Sequence, residues 1–189
     1  MALRLTLVSH AATRAQKQAS FPADEPLQMD WQSRANTFKQ FSARNTRFIH
    51  GPELRTTQTA ALFCAQAQVD HGLRDCDFGQ WQGRRIEEIE PADFGAWMTD
   101  WQAAPHAGES IERLCLRVRA WMDTLTGTGH IVAITHPFLI RAALMRVLQC
   151  SPAAFHAIDI EPLSAVDLRF NGIWRMRAVS LPVSNLDLL

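Results

Sequence analysis

Residues 130–148 read HIVAITHPFLIRAALMRVL, an apolar run followed at once by a helix-patterned stretch. The run predicts a buried β-strand over 130–135, and the apolar spacing after it predicts a helix over 137–148. Pro137 suits the first helical turn, where a missing N–H costs nothing. His136 therefore lies between the end of a strand and the start of a helix, where free backbone N–H groups and the helix dipole favour a bound phosphate.

A second histidine has the same kind of position near the N-terminus. Residues 5–13 read LTLVSHAAT, and His10 follows a strand that we expect over 3–8. Ligands of α/β folds bind at the carboxyl ends of strands, and a neutral imidazole there can attack phosphorus and hold the phosphoryl group covalently. One strand-end histidine is more often structural, but two of them indicate a site.

The rest of the chain alternates predicted strands and helices. Gly51 and Pro52 are expected to supply the N-cap and first turn of a helix that runs to about Ala67. We also expect strands over 46–50, 69–73, 165–170 and 174–179, a hairpin turn at 171–172, a helix-like segment over 31–41, and a helix that is capped by Ser110 and ends before Gly127. Repeated strand–helix units predict an α/β fold with an open, mostly parallel sheet covered by helices on both faces.

The composition fits one globular domain over residues 1–189. With 47% hydrophobic and 20% charged residues, the chain lies outside the disordered and fibrous classes. Its 19 basic and 19 acidic residues leave no net charge. Because no overall field attracts nucleic acid or an anionic membrane, we expect neither as a partner, and any anion site must be local. An oligomer is left open.

The cysteines and histidines argue against a disulfide framework and against a metal site. No C-x-x-C pair occurs, which favours buried free thiols and a reducing compartment. The seven histidines contain neither an H-E-x-x-H pattern nor a clustered Cys/His spacing. The N-terminus lacks a signal-peptide pattern, and no apolar run approaches membrane-spanning length. We therefore expect a cytoplasmic protein that uses neither a metal nor a cofactor.

Arg55 is expected in the first turn of the helix after the second strand. Its guanidinium can bind two phosphate oxygens in a planar fork, a geometry that lysine cannot reproduce. A cation near a helix N-terminus is slightly unfavourable, so Arg55 needs a partner. The sequence leaves open whether this partner is Glu53 or an external anion.

Five segments, in order, resemble the motifs of a known family. They are LVSHAAT (7–13), GPELRTTQTA (51–60), LRDCDFGQWQG (73–83), GES (108–110) and IVAITHPFLIR (131–141). On these motifs the chain is identified as a member of the histidine phosphatase, or phosphoglycerate mutase-like, superfamily. The resemblance implies a Rossmann-like three-layer sandwich. It also implies that His10 is the phosphorylated nucleophile, that Arg55 and His136 hold the phosphoryl group, and that an acid from 73–83 protonates the leaving oxygen.

The opening motif departs from the family pattern at Ser9, where the family has a phosphate-binding arginine. A serine hydroxyl donates one hydrogen bond and carries no charge. Losing one preorganised donor from a site of developing charge costs ~10²–10³ in rate. Arg14 and Arg34 are candidate substitutes. Gln16 stands where some family members use an asparagine for the phosphate, and it can donate in a similar way.

The proton donor also departs from the pattern. Where the most similar branch has a glutamate, this chain has Asp75, which is one methylene shorter. A misplacement of about 1 Å can cost ~10²-fold in proton transfer. Asp77 is the alternative acid, and both aspartates can instead be solvated loop carboxylates. Glu109 is expected to have a supporting or capping role.

A stripe of large apolar side chains falls within the segment that borders the pocket in related enzymes. Phe94, Trp97, Met98 and Trp101 share one helical face. Such a stripe is usually core packing, and the alternative is an apolar wall for the organic part of a substrate.

Three functions follow from these residues. The first is phosphomonoester hydrolysis through phosphorylated His10, with Asp75 as the acid and with activity reduced by Ser9. The second is a mutase, which the short chain and the lost ligands disfavour. The third is an inactive or weakly active protein that binds a phosphoryl ligand or a protein partner. In the first case the ligand is a small phosphorylated metabolite or phosphate, held by Ser9, Gln16, Arg55 and His136.

Overall fold

The computed structural model describes residues 2–34 and 46–180, and within these ranges six strands form one sheet. The strands are β1 (Leu3–Ser9), β2 (Thr46–His50), β3 (Gln68–Val69), β4 (Gly129–Thr135), β5 (Ala165–Phe170) and β6 (Trp174–Ser180). Their order in the sheet is β3-β2-β4-β1-β5-β6. The first four strands in this order pair in parallel, and the β5–β6 hairpin adds an antiparallel edge.

The pairing of β1 with β4 brings the two sequence-identified histidines together. Ser9 pairs with Thr135 in parallel register at the ends of the two strands. The next residue in each chain segment is therefore His10 or His136, and the His10 N–H still donates to the Thr135 carbonyl at 2.9 Å. Both histidines leave the sheet at its carboxyl edge, side by side.

Within the described residues, five α-helices connect and cover the strands. They are α1 (Arg14–Lys17), α2 (Leu54–Phe63), α3 (Pro91–Thr99), α4 (Ile111–Thr124) and α5 (Pro137–Leu148). Alternation along β1 divides the core, because Leu5 and Leu7 contribute to a cluster with α4 and α5, whereas Val8 contributes to a cluster with α2. Helices thus lie on both faces of the sheet, which confirms the Rossmann-like three-layer α/β sandwich. None of the helices in the described ranges is long and apolar enough to cross a membrane.

The clearest patterns of the sequence correspond to elements of the structure. The helix predicted over 137–148 has these bounds, and Ser110 caps α4 by accepting a hydrogen bond from the Arg113 N–H at 3.2 Å. The predicted hairpin is β5–β6, with Gly172 at a positive φ of 98° in its turn. A glycine adopts this conformation without a steric penalty.

The predicted bounds of one helix and one strand were wrong, and a third predicted element lies partly outside the described residues. Helix α2 begins at Leu54 and ends at Phe63, because Glu53 has extended backbone angles as the N-cap and Cys64 returns to them. The third strand is limited to Gln68–Val69 because Asp70 caps a 3₁₀ turn over His71–Leu73 by accepting from the Gly72 N–H at 2.8 Å. Of the helix-like segment over 31–41, residues 31–34 form a bend and a turn, and residues 35–41 lie outside the described residues.

Candidate active site

His10 lies directly after β1 with 4% of its surface exposed. Its Nδ1 is 2.8 Å from the carbonyl oxygen of Ala11. Because a carbonyl oxygen only accepts hydrogen bonds, Nδ1 carries the proton and Nε2 keeps its lone pair. Burial, together with the charges of His136 and Arg55, lowers the pKa of His10 to about 3. The ring is therefore neutral at physiological pH and has one unprotonated nitrogen that can act as a nucleophile.

His136 lies beside His10, with 5.3 Å between the ring centroids. It is the N-cap residue of α5 and is fully buried. Its Nε2 is 2.7 Å from Oε2 of Glu53. Its Nδ1 is 3.2 Å from Oδ2 of Asp75, a contact that is not aligned for a hydrogen bond. Two carboxylates thus flank the imidazole at the start of the helix.

Arg55, the second residue of α2, is 2% exposed. Its Nη1 donates to the carbonyl oxygen of Ala23 at 2.7 Å, and its Nη2 donates to Oδ2 of Asp75 at 2.6 Å. The partner within the protein is therefore Asp75, and Glu53 contacts His136 instead. The Nε–H of Arg55 is buried without a hydrogen-bond partner among the described residues. One donor of the guanidinium thus remains available to an anion.

The charges around His136 and Arg55 keep both acids ionised. Burial opposes the ionisation of Asp75, but the charges of His136 and Arg55 lower its pKa below the usual value. Burial also opposes the ionisation of Glu53, but the hydrogen bond and charge of His136 lower its pKa to about 2. A bound phosphoryl dianion would compete with Asp75 for Arg55 and would raise the pKa of the aspartate.

The candidate phosphate ligands near His10 have different surroundings. Ser9 is fully buried at the end of β1, and within the described ranges its Oγ has no hydrogen-bond partner. Gln16 lines the cavity beside His10, and its Oε1 accepts from the Thr13 N–H at 3.1 Å, which leaves the amide N–H groups free of that contact. Neither Arg14 nor Arg34 is among the described residues that line this cavity.

The structure brings Asp75, and not Asp77, into contact with Arg55 and His136. The exposed Asp77 accepts from the Gly79 N–H at 2.9 Å within its own loop. Glu109, for which the sequence predicts a supporting or capping role, accepts from Nε and Nη2 of Arg117 at 2.7 and 2.8 Å. Arg117 also donates to the carbonyl oxygen of Asp75 at 3.1 Å, so this ion pair holds the segment that carries the acid.

A cavity of about 430 Å³ opens beside His10. Asp75, Phe78 and Pro22 line it, and the same three residues line a neighbouring cavity of about 340 Å³ that contains Arg55 and Glu53. Asp75 thus borders both the cavity beside His10 and the cavity that contains Arg55, and its carboxylate contacts Arg55. In the described part of the chain, no group of three metal-ligating side chains is arranged to hold a metal ion.

The aromatic stripe divides between two places. Phe94, Trp97 and Met98 line the cavity beside His10, whereas Trp101 lines a separate groove between α4, α5 and the β5–β6 hairpin. Trp97 is 3% exposed and also packs in the core. Trp97 therefore packs in the core and also lines the cavity beside His10.

The sequence did not predict where two charged residues of this site lie, Glu53 and Arg141. Glu53 was considered only as a partner of Arg55, although its position just before α2 brings it to His136. Arg141 closes the fifth motif, and its spacing of five residues after His136 was the available signal. The structure places Arg141 among the residues that line the cavity beside His10.

Solved structures of phosphatases share this fold. A histidine-to-alanine mutant of phosphoserine phosphatase from Entamoeba histolytica, in complex with phosphoserine, superposes with a TM-score of 0.84 at 17% identity, over 97% of this chain and 100% of that chain. Mycobacterial glucosyl-3-phosphoglycerate phosphatase Rv2419c, in complex with VO3, superposes with a TM-score of 0.79 at 24% identity, over 95% and 98% of the two chains.

Sequence comparisons point to the same family. The bifunctional protein Rv2228c of Mycobacterium tuberculosis is 27% identical over 135 residues, which are 66% of this chain and 37% of the relative. This chain thus spans little more than a third of that relative's length. The family model of the histidine phosphatase superfamily (branch 1) matches residues 5–179. The chain therefore belongs to branch 1 of the histidine phosphatase superfamily.

Proposed function

We propose that the protein hydrolyses phosphomonoesters in two steps through a phosphohistidine on His10. One observation carries the proposal: the buried, neutral ring of His10 has an unprotonated Nε2, lies beside His136 and lines a cavity with Asp75, which contacts Arg55 and His136. The related phosphatases act, by their names, on phosphoserine and glucosyl-3-phosphoglycerate. A small phosphorylated metabolite is therefore the substrate class that we propose here.

In the first step the lone pair on Nε2 of His10 forms a bond to phosphorus, and the bond between phosphorus and the ester oxygen breaks. The phosphoryl oxygens displace the Asp75 carboxylate from Arg55 and accept a hydrogen bond from its Nε–H, while the start of α5 at His136 stabilises their charge. Displacement raises the pKa of Asp75, so that it can carry the proton that the leaving oxygen needs.

In the second step Asp75 acts as a base. A water molecule gives a proton to the carboxylate and forms a bond to phosphorus, the P–N bond to His10 breaks, and inorganic phosphate leaves. The lone pair returns to Nε2, and Nδ1 keeps its hydrogen bond to Ala11 throughout. Glu53 holds His136 in place during both steps through its 2.7 Å contact.

Trapping of the intermediate tests this function. Wild type and His10→Asn are incubated with a panel of phosphomonoesters, phosphate release is measured, and samples are quenched in alkali to detect an acid-labile phosphohistidine. Asparagine keeps an N–H donor near the position of Nδ1, and circular dichroism checks the fold. We expect release and labelling in the wild type and neither in the variant. Turnover that survives in His10→Asn would show that another nucleophile acts.

Ser9 is included as a weak phosphate ligand, because its buried Oγ has no partner among the described residues. Ser9→Ala removes a hydroxyl that donates to a charged phosphoryl oxygen, so it should lower kcat/KM by about 10-fold or more. Ser9→Arg, checked for folding in the same way, should raise it. An unchanged kcat/KM in Ser9→Ala would remove this residue from the set of ligands.

A second candidate is a protein that binds a phosphoryl ligand without turnover. The observation in its favour is that both Nη groups of Arg55 are already engaged, one by Asp75 and one by Ala23, while Ser9 adds no charge. This candidate predicts that the wild type binds phosphate and forms no phosphohistidine, and that Ser9→Arg gains turnover.

A further inference from the structure

Helix α5 presents a cation, Arg141, to the cavity that contains His10. Its guanidinium carbon lies 5.1 Å from the ring centroid of Phe138 and 5.9 Å from that of Phe155. The side chain is 16% exposed. Two aromatic rings thus hold the guanidinium at the cavity wall.

Arg141 makes only a weak ion pair within the protein. Its ion-pair partner Asp159 is 3.9 Å away, and the Asp159 side chain is 96% exposed. Exposed pairs of this kind contribute little, because water screens them. The Nε–H of Arg141 is buried without a partner within the described residues, and burial lowers the pKa of the group. An anion at this position would relieve the cost of burying the charge.

A second unused donor lines the same cavity. Trp97 is 3% exposed, and its indole Nε1–H is buried without a partner in the described part of the chain. The wall between these donors and His10 is largely aromatic, with Phe21, Phe78 and Phe138 among the lining residues. Two buried donors without acceptors at an aromatic cavity call for a ligand that has an anionic oxygen at one end and an apolar body.

We propose that Arg141 binds a second anionic group of the substrate, so that the protein selects phosphomonoesters whose apolar organic part carries a carboxylate or a second phosphate. The proposal rests on the function proposed for His10, which receives the phosphate that is cleaved. The cavity of about 430 Å³ is large enough for a substrate of this kind.

Paired aryl phosphates test the proposal. The wild type, Arg141→Met and Arg141→Lys are assayed with 4-carboxyphenyl phosphate and 4-carbamoylphenyl phosphate, which differ in charge at the far end. Methionine keeps the apolar stem against the rings. We expect the ratio of kcat/KM for the acid to that for the amide to fall by about 10- to 100-fold in Arg141→Met, since a charge-assisted hydrogen bond is lost. Arg141→Lys should restore part of the ratio.

The two leaving groups differ in reactivity, but this difference cancels when the acid-to-amide ratio of a variant is compared with that of the wild type. Arg146→Met is the matched control, because Arg146 lies on the same helix and pairs with Asp123 away from this cavity. An aryl phosphate with a phosphonomethyl group in place of the carboxylate distinguishes a second phosphate from a carboxylate. Equal losses for the acid and the amide in Arg141→Met would assign Arg141 a purely structural role and overturn the proposal.

Calorimetry separates this proposal from the proposed function. Non-hydrolysable 4-carboxybenzylphosphonate and its carboxamide are titrated into the same variants, so that binding is measured without turnover. A preference for the acid that is lost in Arg141→Met supports the proposal even if the wild type hydrolyses nothing. Equal binding of the acid and the amide by the wild type overturns it, whatever the hydrolytic activity.

Discussion

At the scale of single residues, His10 is a buried histidine whose neutral form is preferred in the folded state. Its pKa is about 3 when folded, against an ordinary value of 6.5. Between these two pH values, the unfolded chain therefore binds a proton at His10 and the folded protein does not. Protonation of His10 therefore does not lower the free energy of unfolding above pH 6.5, and it lowers it progressively as the pH falls from 6.5 towards 3.

We expect this one histidine to cost the wild type about 2 kcal/mol of unfolding free energy between pH 8 and pH 5. His10→Asn should lose correspondingly less over the same interval, because asparagine does not titrate. Urea unfolding at the two pH values measures the difference. His71→Asn, at an exposed histidine, is the control. The same loss in His10→Asn as in the wild type would show that His10 is not the group responsible.

The site residues differ in how much the sequence reveals of them. His10 and His136 could be identified because each follows an apolar strand pattern, and parallel register then places them together. Arg55 and Asp75 depended on the family resemblance. Glu53 could not be assigned, because its partner His136 comes from a segment far away in the sequence. Arg141 had a local signal in its spacing after His136, but the sequence did not show that it lines the cavity. Only the packing of α2 and α5 around the sheet edge shows which charges meet.

At the scale of elements, α4 supports the acid through Arg117. The planar guanidinium binds both carboxylate oxygens of Glu109 and donates to the carbonyl oxygens of Gly72, Arg74 and Asp75. Lysine cannot reproduce this fork. The segment that carries Asp75 is thus fixed from the helix that packs beside it.

Arg117→Met should lower kcat/KM by about 10-fold or more, since a displacement of about 1 Å at the proposed proton donor, Asp75, would have such an effect. Arg117→Lys should recover little of it. Steady-state kinetics with any hydrolysed phosphomonoester and a thermal melt give the two readouts. Arg113→Met, at an exposed arginine of the same helix, should change neither. A loss of Tm with unchanged kinetics would limit Arg117 to a structural role.

Two helices show where a local sequence pattern is sufficient to predict the bounds of a helix. Helix α5 has the predicted bounds because Pro137 and the end of the apolar period mark them within the sequence itself. The start of α2 was misplaced because Gly51 and Pro52 are favourable at a helix start, but Glu53 takes the N-cap position as its side chain turns to His136. The residue at that boundary thus contacts His136, a long-range contact that a local pattern does not contain.

At the scale of the whole molecule, the absence of net charge makes anion binding a local property. Inorganic phosphate should stabilise the folded protein by about 2.7 kcal/mol at 100 times its Kd. This corresponds to a rise in Tm of about 5–10 °C for a domain of this size. Differential scanning fluorimetry with phosphate, against chloride at equal ionic strength, measures the shift.

Arg55→Lys separates the proposed site from general salt effects. Lysine keeps the charge and loses the fork, so the rise in Tm with phosphate should be clearly smaller than in the wild type. Each variant is compared with its own melt without phosphate, which removes any change in intrinsic stability. A full phosphate shift in Arg55→Lys would place the bound anion elsewhere.

Because Ser9 pairs in register with Thr135, the distance between His10 and His136 depends on the number of residues in β1 and β4. A single-residue deletion inside either strand would turn one imidazole to the opposite face of the sheet, although every chemical group was still present. Loops can change length without this effect. By the same argument, substitutions within β1 and β4 keep this register, whereas an insertion or deletion inside either strand does not.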